Sequence, residues 1–192
     1  MAKIWFLHNW MYAGFVAGLF LLAILPIFAE GVSLPLLLIY LQLPIYMLHQ
    51  LEEHTDDRFR RYVNETMAGG REALTTPAVV FINVVGVWLV ILVAIYLARF
   101  VDLGLGLIAV YLTLVNALVH IVGAAVQRRY NPGLVTAILL FLPVGLTALI
   151  VVSRAPGVTL TDHAIGLGLA VLVHVAIAVH VKRRAEALAA AA

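Results

Sequence analysis

Cysteine is absent from this chain. That removes disulfides, thiolate nucleophiles, zinc fingers and iron–sulfur ligation, says nothing of redox compartment, and leaves any metal to nitrogen and oxygen ligands. Charge is scarce as well: Asp, Glu, Lys and Arg make up 11% of the residues, against 64% for the hydrophobic set. With a mean hydropathy of +1.07, water is not the solvent for most of this surface. The composition is that of a polytopic membrane protein. Its 192 residues, at about 20 to 25 per span and loop, provide about six helices and no separate soluble domain. No internal repeat is visible, and no segment offers a handle for a soluble partner.

Long apolar runs predict an all-α transmembrane helix bundle with spans at about 4–28, 34–51, 77–98, 103–126, 133–152 and 161–181. The first starts like a secretory signal behind Lys3, but it is too long, lacks a clean cleavage pattern and precedes five more spans, so it is read as a helix that stays. Gly14 and Gly18 give it a G-x-x-x-G face for close packing. Pro44 in the second span predicts a kink or a proline tolerated for packing. From Thr55 to about Ala68, Phe59, Tyr62, Val63 and Met67 recur at helical spacing among Arg58, Arg60, Arg61 and Glu65. This predicts an amphipathic helix lying in the interface, capped by Thr55 and led by Asp56 and Asp57. Thr76 and Pro77 are expected as N-cap and first residue of the third span, Asp102 as cap of the fourth, and Asn131-Pro132 as the start of the fifth. The fifth, with Pro143, reads as scaffold without chemistry. Residues 185–192 form an alanine-rich tail expected to fray.

The stretch Tyr46-Met47-Leu48-His49-Gln50-Leu51-Glu52-Glu53-His54 finishes a run long enough to cross a bilayer with four ionisable side chains. On a helix His49, Glu52 and Glu53 share an arc of roughly 100°, so an imidazole and two carboxylates are expected to converge. The alternative is a wet helix end among lipid headgroups. In the fourth span Asn116 and His120 lie about 40° apart, with Gln127 continuing the stripe. The last span holds His163, His174 and His180, of which the first two lie about 16 Å apart, too far for one compact site. If the odd spans run outward, every Lys and Arg except Arg99 and Arg154 falls on the side of the termini. Both termini are therefore expected in the cytoplasm, and in the inner membrane if the cell is bacterial. His8, the His49 stretch, Asn83, Asn116, His120 and His174 then share one depth, within roughly 5 to 15 Å of that face. Whether His8, Asn83, His54 and His174 point inward is left open by depth alone. The isoelectric point near 9.1 fits anionic lipid headgroups and needs no nucleic acid.

His49-Gln50-Leu51-Glu52-Glu53, followed by Asn116-Ala117-Leu118-Val119-His120 and Arg129-Tyr130-Asn131-Pro132-Gly133-Leu134-Val135-Thr136, resembles the HXXEE family of integral membrane proteins. The resemblance covers roughly residues 35 to 145. It implies no particular reaction, and it joins His49, Glu52, Glu53, Asn116 and His120 in one site.

The leading expectation is a divalent-metal-binding membrane enzyme, a hydrolase or oxidase of a hydrophobic or lipid-like substrate. His49, Glu52, Glu53 and His120 are its expected ligands for Zn, Fe or Mn. One of Glu52 and Glu53 serves as general base in this reading, and Asn116 orients. The alternatives are a metal-free His/Glu acid–base isomerase, a proton- or cation-coupled transporter, paired-histidine haem ligation, for which carboxylates are poor partners, and a polar layer that only holds helices together.

Overall fold

The computed structural model describes residues 2–191, with side chains from Trp5 onward. Met1, Ala192 and the side chain of Lys3, which entered the charge argument, lie outside the described residues. The described residues are mostly helical, 87% of them, without strands: α1 (Ala2–Phe28), α2 (Leu34–His54), α3 (Arg58–Ala68), α4 (Thr76–Phe100), α5 (Leu107–Gln127, behind a tight turn at Leu103–Gly106), α6 (Leu134–Ser153) and α7 (Leu160–Ala190). Six segments, with α2 and α3 counted as one, are long and apolar enough to cross a membrane. The chain is a multi-pass membrane protein.

The central helix is α2, which touches α1, α4, α5 and α6, while α7 lies along α5. Ile39, Tyr46, Ile91, Leu107, Leu112 and Phe141 are enclosed between these helices. Phe20, Ile150 and Leu172 face outward, as lipid-facing residues must. A second cluster built on Trp10, Val63, Leu74 and Val181 ties α3 to α1, α4 and α7. Pro44 sits inside an uninterrupted α2, and α4 and α6 each contain a more widely wound π stretch, at Ile82–Leu89 and Ala137–Phe141.

Several expected boundaries are corrected. Thr55 does not cap α3; its hydroxyl donates back to the Leu51 carbonyl. Asp56 and Asp57 take left-handed dihedrals, φ 56° and 57°, and break the chain so that α3 starts at Arg58. Asp tolerates that region better than most residues. Thr75, not Thr76, caps α4 by accepting from the Ala78 amide. Asn131-Pro132 do not start α6, because Gly133 at φ 98° turns the chain first. The tail expected to fray is helical through Ala190, in keeping with alanine's high helix propensity and a Lys182–Glu186 pair at 3.9 Å. Asp102 caps as expected, accepting from the Gly104 amide.

The glycine face of α1 serves two neighbours. A Cβ at Gly18 would stand 3.0 Å from Met47 Cβ and 3.1 Å from the Pro44 carbonyl oxygen, and one at Gly14 would stand 2.6 Å from the Trp88 ring. Overpacking of this kind costs about 1–3 kcal/mol. Gly14→Leu is therefore expected to lower the thermal midpoint of detergent-solubilised protein; an unchanged midpoint would show that α1 seats against Trp88 loosely.

Candidate metal centre

His49 and Glu53 sit four residues apart on α2 and so stand one above the other on the same face. From α5, His120 meets them. Their exposures are 0%, 4% and 4%, and one potential ligand atom from each lies within 4.8 Å of the others. Glu53 Oε2 is 3.5 Å from His49 Nε2, and Glu53 Oε1 is 3.4 Å from His120 Nε2. Phe141, with its ring centroid 4.2 Å from that of His49, closes the group on the side of the apolar core. This buried His49–Glu53–His120 group could hold a metal ion.

The far nitrogen of each imidazole is already committed. His49 Nδ1 lies 2.8 Å from Thr136 Oγ1, whose own hydrogen is directed to Glu52. The imidazole is therefore the donor in that bond. His120 Nδ1 lies 2.8 Å from Asn131 Oδ1, while the Asn131 amide donates to the His120 carbonyl. This network assigns the proton of each neutral ring to Nδ1 and turns both Nε2 lone pairs toward Glu53. His49 Nε2 is enclosed and has no hydrogen-bond partner.

Glu52 is not brought into the group. It sits about 100° around α2 from Glu53 and points at residues 130–136. There it accepts from the Tyr130 hydroxyl at 2.7 Å, the Val135 and Thr136 amides at 3.2 and 2.8 Å, and the Thr136 hydroxyl. The expected convergence of two carboxylates is thus corrected to one inside and one outside. Burial and the Glu52 carboxylate push the Tyr130 phenol up to about 12, so it remains a donor at physiological pH.

The other candidates separate clearly. His54 is buried against Trp10, with Nε2 3.0 Å from Glu53 Oε2, rather than wet among headgroups. Asn116 lies outside the three-residue group and borders a cavity of about 420 Å³ that Glu53, His54 and His120 also line. Its Oδ1 is enclosed without a hydrogen-bond partner. His174 borders the same cavity, with Nδ1 held by the Ala170 carbonyl. Asn83 accepts from Gln50, which in turn accepts from Trp88. His8 and His180 are exposed, and His163 pairs with Tyr111.

Sequence reasoning missed Thr136, Asn131 and Gly133 as site residues. The fifth span, expected to carry no chemistry, contributes the Thr136 hydroxyl at its start. All three lie in the segment that carried the second part of the family resemblance, which was the available signal.

Together these features define a small multi-pass helical membrane protein with a buried two-histidine, one-carboxylate group at one end of its bundle. Residues 40–148 match the family described as "Protein of unknown function with HXXEE motif", and the chain belongs to that HXXEE family. The matched segment contains every residue of the group and its hydrogen-bonded surround. No curated protein matches, and no solved structure does.

Gly133 lets the chain pass over both rings: a Cβ there would stand 2.7 Å from His120 Cε1 and 2.8 Å from His49 Cε1. Gly157, at φ 88°, has nothing within 4 Å of such a Cβ, so it isolates the backbone cost of about 1–2 kcal/mol. Gly133→Ala is expected to lower the thermal midpoint further than Gly157→Ala; equal losses would show that the imidazoles do not constrain this turn.

Proposed function

We propose that His49, Glu53 and His120 bind one divalent transition metal, and that the protein is a metal-dependent membrane enzyme acting on a hydrophobic, lipid-like substrate. One observation carries this reading: two Nε2 lone pairs face a buried carboxylate at 3.4 and 3.5 Å. Acceptors so placed repel unless a cation lies between them. A proton would draw each pair to the ~2.7–2.9 Å of a charge-assisted hydrogen bond. The two contacts run to different Glu53 oxygens, and one ligand atom from each residue lies within 4.8 Å of the others, a spread that a metal with bonds of ~2.0–2.2 Å would close by small side-chain movements. Three protein ligands leave a position open to water or substrate, as in catalytic zinc sites, and the same ligand set also suits Fe(II). Bound there, zinc would supply Lewis acidity and an activated water for hydrolysis, and iron would supply oxidation chemistry. Thr136 and Asn131 hold the ligand rings, and Glu52 acts through Thr136 as a positioning residue. The basic residues cluster at the same end of the bundle, so a positive-inside orientation puts this site and both termini toward the cytoplasm.

A second reading rests on His54, whose Nε2 is 3.0 Å from Glu53 Oε2. Three imidazoles around one carboxylate can share protons and serve metal-free acid–base chemistry.

Elemental analysis of protein purified in mild detergent without chelator separates the two. The expected result is close to one equivalent of zinc, iron or manganese, lost in Glu53→Ala and His120→Ala. Folded, monodisperse wild type without metal would overturn the metal reading in favour of the acid–base one. Because hydrogen-bonded surrounds of metal ligands are typically worth about 10–100-fold in affinity, Thr136→Val is expected to weaken metal binding by that factor and Thr136→Ser to restore it. Equal affinity in all three proteins would remove Thr136 and Glu52 from the centre.

A further inference from the structure

The cavity beside the metal group has a mouth. Tyr46 and Glu53 line its depth and are buried, but on its rim Met67 and Val119 are 50% and 52% exposed, and Gln127 and Ala178 are exposed with them. The opening therefore lies where α3 and the ends of α5 and α7 meet, close to the basic residues that follow those two helices.

Arg129 stands at this rim. Helix α5 ends at Gln127, Arg128 turns the chain at φ 51°, and the Arg129 amide donates back to the Ala124 carbonyl at 3.2 Å. The guanidinium stacks on Tyr62, 5.2 Å from its ring centroid, and Nε donates to Gln127 Oε1 at 3.1 Å. Tyr62 and Gln127 both line the cavity. Backbone, ring and amide together hold the side chain over the mouth, so little rotamer freedom is left to lose on binding.

What this cation lacks is an acid. Arg60 pairs with Asp57 and Glu72 at 3.1 and 2.8 Å. Among the described residues no carboxylate pairs with Arg129, and its Nη1 and Nη2 have no hydrogen-bond partner. Because Gln127 Oε1 is occupied by a donor, the amide's NH₂ is its free edge. The rim thus presents donors only, including a planar fork matched to two oxygens of a phosphate or carboxylate. A divalent ion at the His49–Glu53–His120 group would attract the same sign of charge, so rim and centre favour one kind of molecule.

We propose that the substrate is an anionic amphiphile, whose oxyanion head is held at the mouth by Arg129 and Gln127 and whose apolar part enters the cavity beside His120. The proposal rests on the metal-enzyme reading for the chemistry inside, and adds which molecules are admitted.

The test is native mass spectrometry of maltoside-solubilised protein equilibrated with 1-palmitoylglycerol 3-phosphate or with 1-palmitoylglycerol, which lacks only the phosphate, before and after chelator treatment. Wild type is expected to hold the phosphate at least about tenfold more tightly in both states, as one hydrogen-bonded charge pair would give. Arg129→Gln is expected to remove that preference and Arg129→Lys to restore part of it, with metal content unchanged in both. Arg183→Gln, at an exposed cation of the same end, is expected to keep it. If Arg129→Gln does not fold, Gln127→Glu gives Arg129 an internal acid and is expected to remove the preference instead. A preference that survives in Arg129→Gln, falls equally in Arg183→Gln or disappears with the chelator would overturn the proposal. Full displacement by equimolar inorganic phosphate would overturn it too, since the ligand would then be a soluble phosphate. An Arg129-dependent preference in protein that holds no metal would uphold the recognition and sink the metal reading.

Discussion

Burial of the Glu53 carboxylate is the constraint on which the rest of this arrangement depends. Taking a carboxylate out of water costs several kcal/mol even after a protein relaxes around it, and a helix bundle in lipid has no water to return it to. Glu53 is surrounded by imidazoles from its own helix, His49 and His54, and by His120 from α5; with the ring protons of His49 and His120 on Nδ1, a cation or proton shared among them is what would answer its charge. Answering it fixes more than three side chains. The end of α5 must reach the end of α2, the loop after α5 must fold back so that Asn131 holds His120, and the start of α6 must descend on His49. Gly133 is what lets the backbone pass that close.

Polar residues inside membrane bundles hold helices together as readily as they do chemistry, and satisfaction separates the two roles here. Gln50, Asn83 and Trp88 form a closed chain: indole to Gln50 oxygen, Gln50 amide to Asn83, Asn83 amide to the Val79 carbonyl. Its purpose is complete within the fold, since it ties α2 to α4. Around Glu53 the pattern differs. His49 Nε2 and Asn116 Oδ1 are enclosed with no hydrogen-bond partner, although satisfying them would have cost the sequence only a nearby serine or threonine. Gln42 Oε1, about two turns away from this group on α2, is enclosed and unpartnered as well, so it is the gathering of open atoms on His49, His54 and Asn116 around Glu53, rather than openness alone, that fits a ligand.

What the sequence disclosed follows from which distances are local. The six spans, the Asp102 cap and the pairing of His49 with Glu53 depend on periodicity and i,i+4 spacing, and all could be read without the fold. The shared depth of His49 and His120 followed from counting residues to the helix ends. Azimuth did not. His8 and His174 have similar depth, yet one is exposed and the other borders the cavity. Thr136 was hidden for a different reason. A threonine opening an apolar helix looks like ordinary polar trim, and its contact with Glu52 spans 84 residues. Thr55 was misread because a hydroxyl beside a helix end can cap forward or bond backward, and the left-handed pair Asp56 and Asp57 chose the second.

The arrangement also explains why two adjacent glutamates do different work. A step of 100° between neighbours on a helix starts their side chains toward different surroundings. With His49 four residues before it, Glu53 takes the inward position by stacking. Glu52, one step round, is left facing the start of α6, where unpaired amides and the helix dipole favour a negative charge. It accepts the Val135 and Thr136 amides there. In docking α6 it sets the Thr136 hydroxyl against His49 Nδ1, which in turn directs Nε2 inward. The short motif therefore encodes a centre and its clamp together: the histidine and second glutamate compose the buried group, and the first glutamate seats the helix that orients the histidine.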